Sequence, residues 1–270
     1  MYRVIASDMD DTLLNEKGVL SPRTVAALKR AMEAGTYVVL ASGRMLEAVR
    51  PFARQVGVNA PVITYNGAMV YDMEKGTALN SLTIDLETAR GICAMAEEMG
   101  IYIQVYPGEG YFAQERTKYT ELYENSIKVP CGIVGKPMSQ WITTGQVKLL
   151  MIGEKEDTQA RIDLFSKAFP GVSFMMSRPN YIEIVARGVD KRFALEKTLE
   201  SLGVTAQQCL AFGDGQNDVS MLNFVGAGYC VKNASQGVQD KCRFFAPANT
   251  QDGPAQIIEE MLDKGLLGKE

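Results

Sequence analysis

The sequence predicts an α/β protein, a doubly wound parallel-sheet core of Rossmann type interrupted by an inserted α+β domain. Three observations carry this. Short, wholly apolar runs alternate with helical patterns at both ends of the chain, as buried parallel strands and their crossover helices do. Between them the order changes to adjacent strands mixed with helices, as in an antiparallel sheet. The length of 270 residues, nearly half of them hydrophobic, is enough for two modest cores.

The first strand is the apolar run Val4 to Ala6. Ser21 and Pro22 open a helix that Gly35 closes, a cap, a first-turn proline and a terminating glycine in their usual places. Tyr37 to Ala41 forms a second strand, followed by Ser42-Gly43 and a helix to about Gln55, and Pro61 to Thr64 supplies a third strand. Ala68 to Tyr71 and Thr77 to Leu82 then read as two strands joined by a turn at Glu74, Lys75 and Gly76.

From about Thr83 to Arg187 the order is helix, strand, strand, helix and again helix, strand, strand, which predicts an antiparallel sheet with helices on one face. Simple alternation returns at Lys191: a helix to about Leu202, a strand at Cys209 to Phe212, a short helix after Asp218, a strand at Gly228 to Val231 and a last helix from about Gly253. The expected boundaries are a discontinuous core of residues 1–82 and 188–270 and an inserted cap domain of residues 83–187.

Composition narrows the chemistry. Lysine and arginine total 28 against 32 acidic residues, a net charge of -4 with no basic block to follow a nucleic-acid backbone. The first apolar run leads directly into Asp8, Asp10 and Asp11, which neither a signal peptide nor a membrane span would tolerate, so a cytoplasmic location is expected. The five cysteines form an odd number without a CxxC pair and read as free thiols. Histidine is absent, which removes Ser/His/Asp hydrolysis, phosphohistidine chemistry and His-ligated zinc. Acid–base work falls to carboxylates, Lys, Tyr or Cys.

Asp8, Asp10 and Thr12 follow the first strand, and residues two apart in extended backbone point the same way. The run Gly213-Asp214-Gly215-Gln216-Asn217-Asp218 follows another apolar strand. In a parallel sheet the two acidic loops meet at the strands' carboxyl ends. Clustered carboxylates repel unless a cation sits among them, and oxygen donors without soft ligands suit Mg²⁺. Taken alone, Ser42 reads as a helix N-cap, and Lys191 as a solvated lysine whose place at a helix start runs against the dipole. Together with Gly43 and the acids they compose a phosphoryl-transfer site: a nucleophilic carboxylate, a metal, a lysine and a hydroxyl–amide cradle.

The order of DMDDT, ASGR, Lys191 and GDGQND resembles the haloacid dehalogenase superfamily, specifically its Cof-type phosphatases with a large C2B-type cap. The likeness spans nearly the whole chain and includes Lys232-Asn233-Ala234 and Asn249 to Gly253. It implies Asp8 as nucleophile and Asp10 as general acid and base. Mg²⁺ would be held by Asp8, the Asp10 backbone carbonyl and Asp214. Ser42, Gly43, Arg44, Lys191 and Asn217 would stand on the phosphate or substrate side, with Asp218 in the outer shell of the metal.

The implied substrate is a small phosphorylated metabolite, sugar phosphates first. A sugar phosphomutase and a non-catalytic sugar-phosphate binding protein remain the alternatives, whereas a receiver domain is half the length and needs an Asp where Thr64-Tyr65-Asn66 stands. Three positions depart from the family pattern: Arg192, Lys232 and Pro254 replace small or apolar residues. The first two add positive charge near the expected site, either for a substrate with extra negative charge or as ordinary surface residues.

Overall fold

A computed structural model describes residues 1–268 of the chain. It divides into two compact units. One comprises Met1–Arg44, Val49–Asn80 and the chain from Asp190 onward, and the other comprises Met45–Ala48 and Ser81–Val189.

In chain order the first unit begins with β1 (Val4–Ser7), α1 (Pro22–Glu33), β2 (Tyr37–Leu40), α2 (Leu46–Val56), β3 (Val62–Thr64), β4 (Met69–Asp72) and β5 (Thr77–Ser81). The intervening elements are α3 (Leu86–Glu98), β6 (Tyr102–Tyr106), β7 (Phe112–Ala113), α4 (Lys118–Ile127), β8 (Gly132–Ile133), α5 (Met138–Trp141), β9 (Lys148–Ile152), α6 (Thr158–Ala168), β10 (Val172–Arg178) and β11 (Tyr181–Ala186). The chain closes with α7 (Lys191–Leu202), β12 (Cys209–Gly213), α8 (Val219–Phe224), β13 (Ala227–Val231), α9 (Gln236–Gln239), β14 (Phe244–Ala246) and α10 (Gly253–Asp263).

The first unit is built on a parallel sheet of order β14-β13-β12-β1-β2. Every residue of β1 and β12 is buried, which explains their continuous apolar run. From β1 the chain winds one way to β2; from β12 it winds the other way to β13 and β14. The switch point therefore lies between β1 and β12, where doubly wound sheets open a crevice at their carboxyl ends.

Helix starts and stops follow local chemistry. The Ser21 side chain accepts from the Thr24 amide with Pro22 in the first turn of α1. Asp190 caps α7 by accepting from the Phe193 amide at 2.6 Å, and Gly203 ends it in the left-handed conformation. The apolar face of α7 (Ala194, Leu195, Leu199) packs into the core with Val4, Ala6, Val39 and Ala211.

Two features go beyond the expected layout. The strand expected at Pro61 to Thr64 forms as β3 and meets the end of β2 in parallel through the Ala41–Ile63 bridge, while its full ladder is antiparallel, with β4. The chain reverses straight after Thr64 and pulls β3 into its own three-stranded sheet of order β3-β4-β5. The strand β14 was not expected at all, since only three residues form it and Phe244 and Phe245 are exposed.

The second unit holds a six-stranded sheet of order β10-β11-β9-β6-β7-β8, antiparallel except for β7 with β8. One face carries Ile103, Val105, Leu149, Met151, Ile182 and Ile184, packed with Ala89, Ile92 and Phe165 from α3 and α6. Alternation sends Tyr102, Gln104, Tyr106, Lys148, Tyr181 and Glu183 to the opposite face. The helices are not confined to one side, as the sequence suggested. On that polar–aromatic face α4 brings Thr120 to the Tyr102 hydroxyl at 2.9 Å and sets the Tyr123 ring 5.2 Å from Tyr111.

Candidate active site

The register Ser7 to Phe212 and Ser7 to Leu40 aligns the carboxyl ends of β12, β1 and β2. Asp8, Ala41-Ser42 and Gly213-Asp214 consequently leave the sheet side by side at the switch point. Lys191, the first residue of α7, is fully buried and donates its ammonium to Asp8 Oδ1 and, at 2.7 Å, to Asp218 Oδ1. The reading of Lys191 as a solvated surface lysine does not hold.

Asp218 has its other oxygen tied to the loop it belongs to, accepting from the amides of Asp214 at 3.1 Å and Gly215 at 2.9 Å. Gly213 permits this fold-back, because a Cβ there would stand 2.5 Å from the Asp218 Cβ. Asp214 Oδ1 accepts from the Thr12 hydroxyl at 2.9 Å, so the two acidic loops are bonded to each other. Asp8, Asp214 and Asp218 each offer a carboxylate oxygen within 4.8 Å of the others.

Three carboxylates against one ammonium leave an excess of buried negative charge. Burial pushes Asp8 well above the usual carboxylate range, with Asp218 and Asp214 adding to the effect and Lys191 opposing it. Burial and then Asp218 push Asp214 up to about 6. Burial opposes the charge on Lys191, but Asp218 and Asp8 more than offset that and hold it above the ordinary lysine value. An all-oxygen, over-charged cluster of this kind fits a hard divalent cation, which would supply the missing positive charge.

The Asp10 carboxylate points elsewhere. Arg44 grips it bidentately, at 2.5 and 2.7 Å, and about half of the Asp10 side chain is exposed. Arg44 itself lies over the Phe52 ring, with the guanidinium carbon 5.4 Å from its centre. Ser42 is fully buried, but it is not the N-cap of a helix: α2 starts only at Leu46, and Ser42 Oγ accepts instead from the Arg44 amide at 3.1 Å. The backbone at this position is a loop turn around Gly43 and not the first turn of a helix. Asn217 is bonded through its side-chain amide to Asn66 Oδ1 at 2.9 Å.

Other residues brace the site without having been given a part in it. Asn233 donates to the Asp11 carbonyl at 2.7 Å and accepts from the Asn249 amide, while the Asn249 side chain donates to the Leu14 carbonyl at 2.9 Å. The Lys232-Asn233-Ala234 and Asn249 to Gly253 segments thereby fasten the Asp10 to Leu14 loop. Arg192 stacks on Phe224, 5.0 Å from the ring centre, and Pro254 is a buried first-turn residue of α10. Those two departures from the family pattern have structural explanations. Lys232 has an exposed side chain.

Among the described residues no helix is long and apolar enough to cross a membrane. The model of the haloacid dehalogenase-like hydrolase family matches residues 5–258. The chain is 28% identical to the pyridoxal phosphate phosphatase of Escherichia coli, over 95% of this chain and 97% of that one. It is 25% identical to a 5-amino-6-(5-phospho-D-ribitylamino)uracil phosphatase of Bacillus subtilis, over 95% and 96%. A haloacid dehalogenase-like hydrolase from Bacteroides thetaiotaomicron superimposes with a TM-score of 0.90 at 26% identity, covering 97% of this chain and all of that one. A Thermotoga maritima structure gives 0.86 at 28% identity, covering 96% and 97%. With its sheet order, its strand-end acids and a match over almost its full length, the chain belongs to the haloacid dehalogenase-like hydrolase family.

Proposed function

We propose that the protein is a Mg²⁺-dependent phosphatase of small phosphorylated metabolites, working through an aspartyl-phosphate on Asp8. The observation that carries the reading is the buried ammonium of Lys191 held between Asp8 and Asp218, with Asp214 in the same cluster. Such an arrangement sets a carboxylate nucleophile beside one buried cation, and the excess negative charge that remains calls for a metal before a phosphate dianion can approach.

In the first half-reaction an Asp8 oxygen attacks phosphorus, the bond from phosphorus to the ester oxygen breaks, and Asp10, released from its ion pair with Arg44 and protonated, gives its proton to the departing oxygen. In the second, Asp10 takes a proton from water, the water oxygen attacks phosphorus, and the phosphoryl group leaves Asp8. Lys191, the Ser42 hydroxyl and the Gly43 amide hold the phosphate oxygens, with Asn217 and Arg44 on the substrate side. Mg²⁺, held by the Asp8 and Asp214 carboxylates and the Asp10 carbonyl, would offset the repulsion between nucleophile and phosphate when bound. Asp218 would serve from its outer shell.

The unit of Ser81–Val189 we read as the cap that selects the leaving group. The substrates named for the relatives are a pyridine aldehyde phosphate and a ribitylamino-uracil phosphate, both small monoesters. They support the substrate class and widen it beyond sugar phosphates. A cytoplasmic setting agrees with five free thiols, three of them buried.

Two readouts test the metal together. Hydrolysis of p-nitrophenyl phosphate is expected with Mg²⁺ and not with EDTA. Thermal stability in the absence of substrate is expected to rise with Mg²⁺, by about 2.7 kcal/mol at a hundredfold excess over Kd, because the cluster exists only in the folded chain. Turnover in EDTA together with a melting temperature indifferent to Mg²⁺ would refute the metal assignment.

A further inference from the structure

The turn after β3 contains three successive residues with positive φ: Tyr65 at 53°, Asn66 at 57° and Gly67 at 102°. The left-handed region costs a non-glycine residue about 1–3 kcal/mol, with Asn the most tolerant and an aromatic residue poorly suited. A plain reversal from β3 into β4 could use glycine throughout. Tyr65 and Asn66 are instead both buried in this conformation.

The three residues reach three different loops of the site. The Tyr65 amide donates to the Arg44 carbonyl and the Asn66 amide to the Ser42 carbonyl, each at 3.0 Å. Asn66 Oδ1 accepts from Asn217 on the loop that carries Asp214 and Asp218. A Cβ on Gly43 would come within 2.9 Å of that same oxygen. Gly67 lies against the start of α7, where a Cβ would be 2.2 Å from the Asp190 carbonyl oxygen, one residue before Lys191. The left-handed backbone of Asn66 lets its amide group bond one loop while its side chain bonds another.

We propose that Asn66 is a positioning residue that fixes the spacing between the Ser42-Gly43 turn and Asn217, and with it the shape of the anion cradle. Its bonds described above go to the Ser42 carbonyl and to Asn217. The inference rests on the reading of Ser42, Gly43 and Lys191 as phosphate binders. The backbone strain is retained because the amide cross-link requires it.

The substitution Asn66→Gly relaxes the backbone and removes the side-chain bond to Asn217 while keeping the main-chain amide that bonds Ser42. Its melting temperature is expected to stay close to the parent's. Inhibition by inorganic phosphate is expected to weaken about tenfold, and kcat/KM for p-nitrophenyl phosphate to fall roughly ten- to a hundredfold, as misplacement by a fraction of an ångström does. Asn217→Ala should lose a comparable factor, and the double variant should lose no more than the worse single one, because both remove one interaction.

Phosphate inhibition of Asn66→Gly as strong as the parent's would overturn the proposal, whatever happened to its melting temperature. So would costs that multiply in the double variant. A parent protein that neither hydrolyses the ester nor is inhibited by phosphate would bring down the phosphatase reading, and this inference with it.

Discussion

Exchanging Lys191 for methionine is expected to abolish turnover and to destabilise the protein by about 3–5 kcal/mol, the range found when one partner of a buried ion pair is removed. The chain length of the replacement is similar, so the effect is one of charge. Asp8 and Asp218 would face each other, both buried, without the ammonium that both now accept from. Either the carboxylates take up protons or the loops part: the first neutralises the nucleophile and the second displaces it. Urea unfolding with and without Mg²⁺ measures this, and the cation should recover part of the loss because it supplies charge to the same cluster. An unfolding midpoint equal to the parent's would mean that Lys191 does not hold the cluster together.

Asp8→Asn is expected to act in the opposite sense on stability and just as strongly on activity. Turnover should fall by roughly 10⁴-fold or more, the scale seen when a covalent nucleophile is removed. Stability should be retained or should rise, since the cluster carries more negative charge than Lys191 balances and burial already disfavours the ionised Asp8. Lys191 keeps Asp218 as its partner. Steady-state hydrolysis and a thermal melt of the same preparation check both halves. A variant that loses activity only because it unfolds would not bear on the nucleophile.

The contrast between these two substitutions shows what could be read from the residues and what could not. The placement of Asp8 and Asp214 after apolar strands was enough to bring them to one sheet edge, because parallel strands share their carboxyl ends. The burial of Lys191 was not legible, since a lysine at a helix start looks the same in sequence whether it faces solvent or a pair of acids. The N-cap alternative for Ser42 fails for a related reason: the helical pattern does not reveal that α2 starts only at Leu46.

Pairings between distant segments were equally hidden. Arg44 on Asp10, Thr12 on Asp214 and Asn233 on the Asp11 carbonyl depend on loops that meet only after the sheet forms. The strand β14 escaped because a three-residue edge strand carries no period. The positive φ of Tyr65 has no signature in composition at all. The bond between Asn66 and Asn217 likewise belongs to tertiary structure.

The central claim is that the phosphoryl group passes through Asp8. Mixing the protein with Mg²⁺ and p-nitrophenyl phosphate, quenching in acid within milliseconds and mapping the peptides by mass spectrometry tests it directly. A phosphoryl group on Asp8 that forms and decays at rates compatible with turnover is the predicted result. Steady phosphate release with the phosphoryl group on another residue would contradict the account.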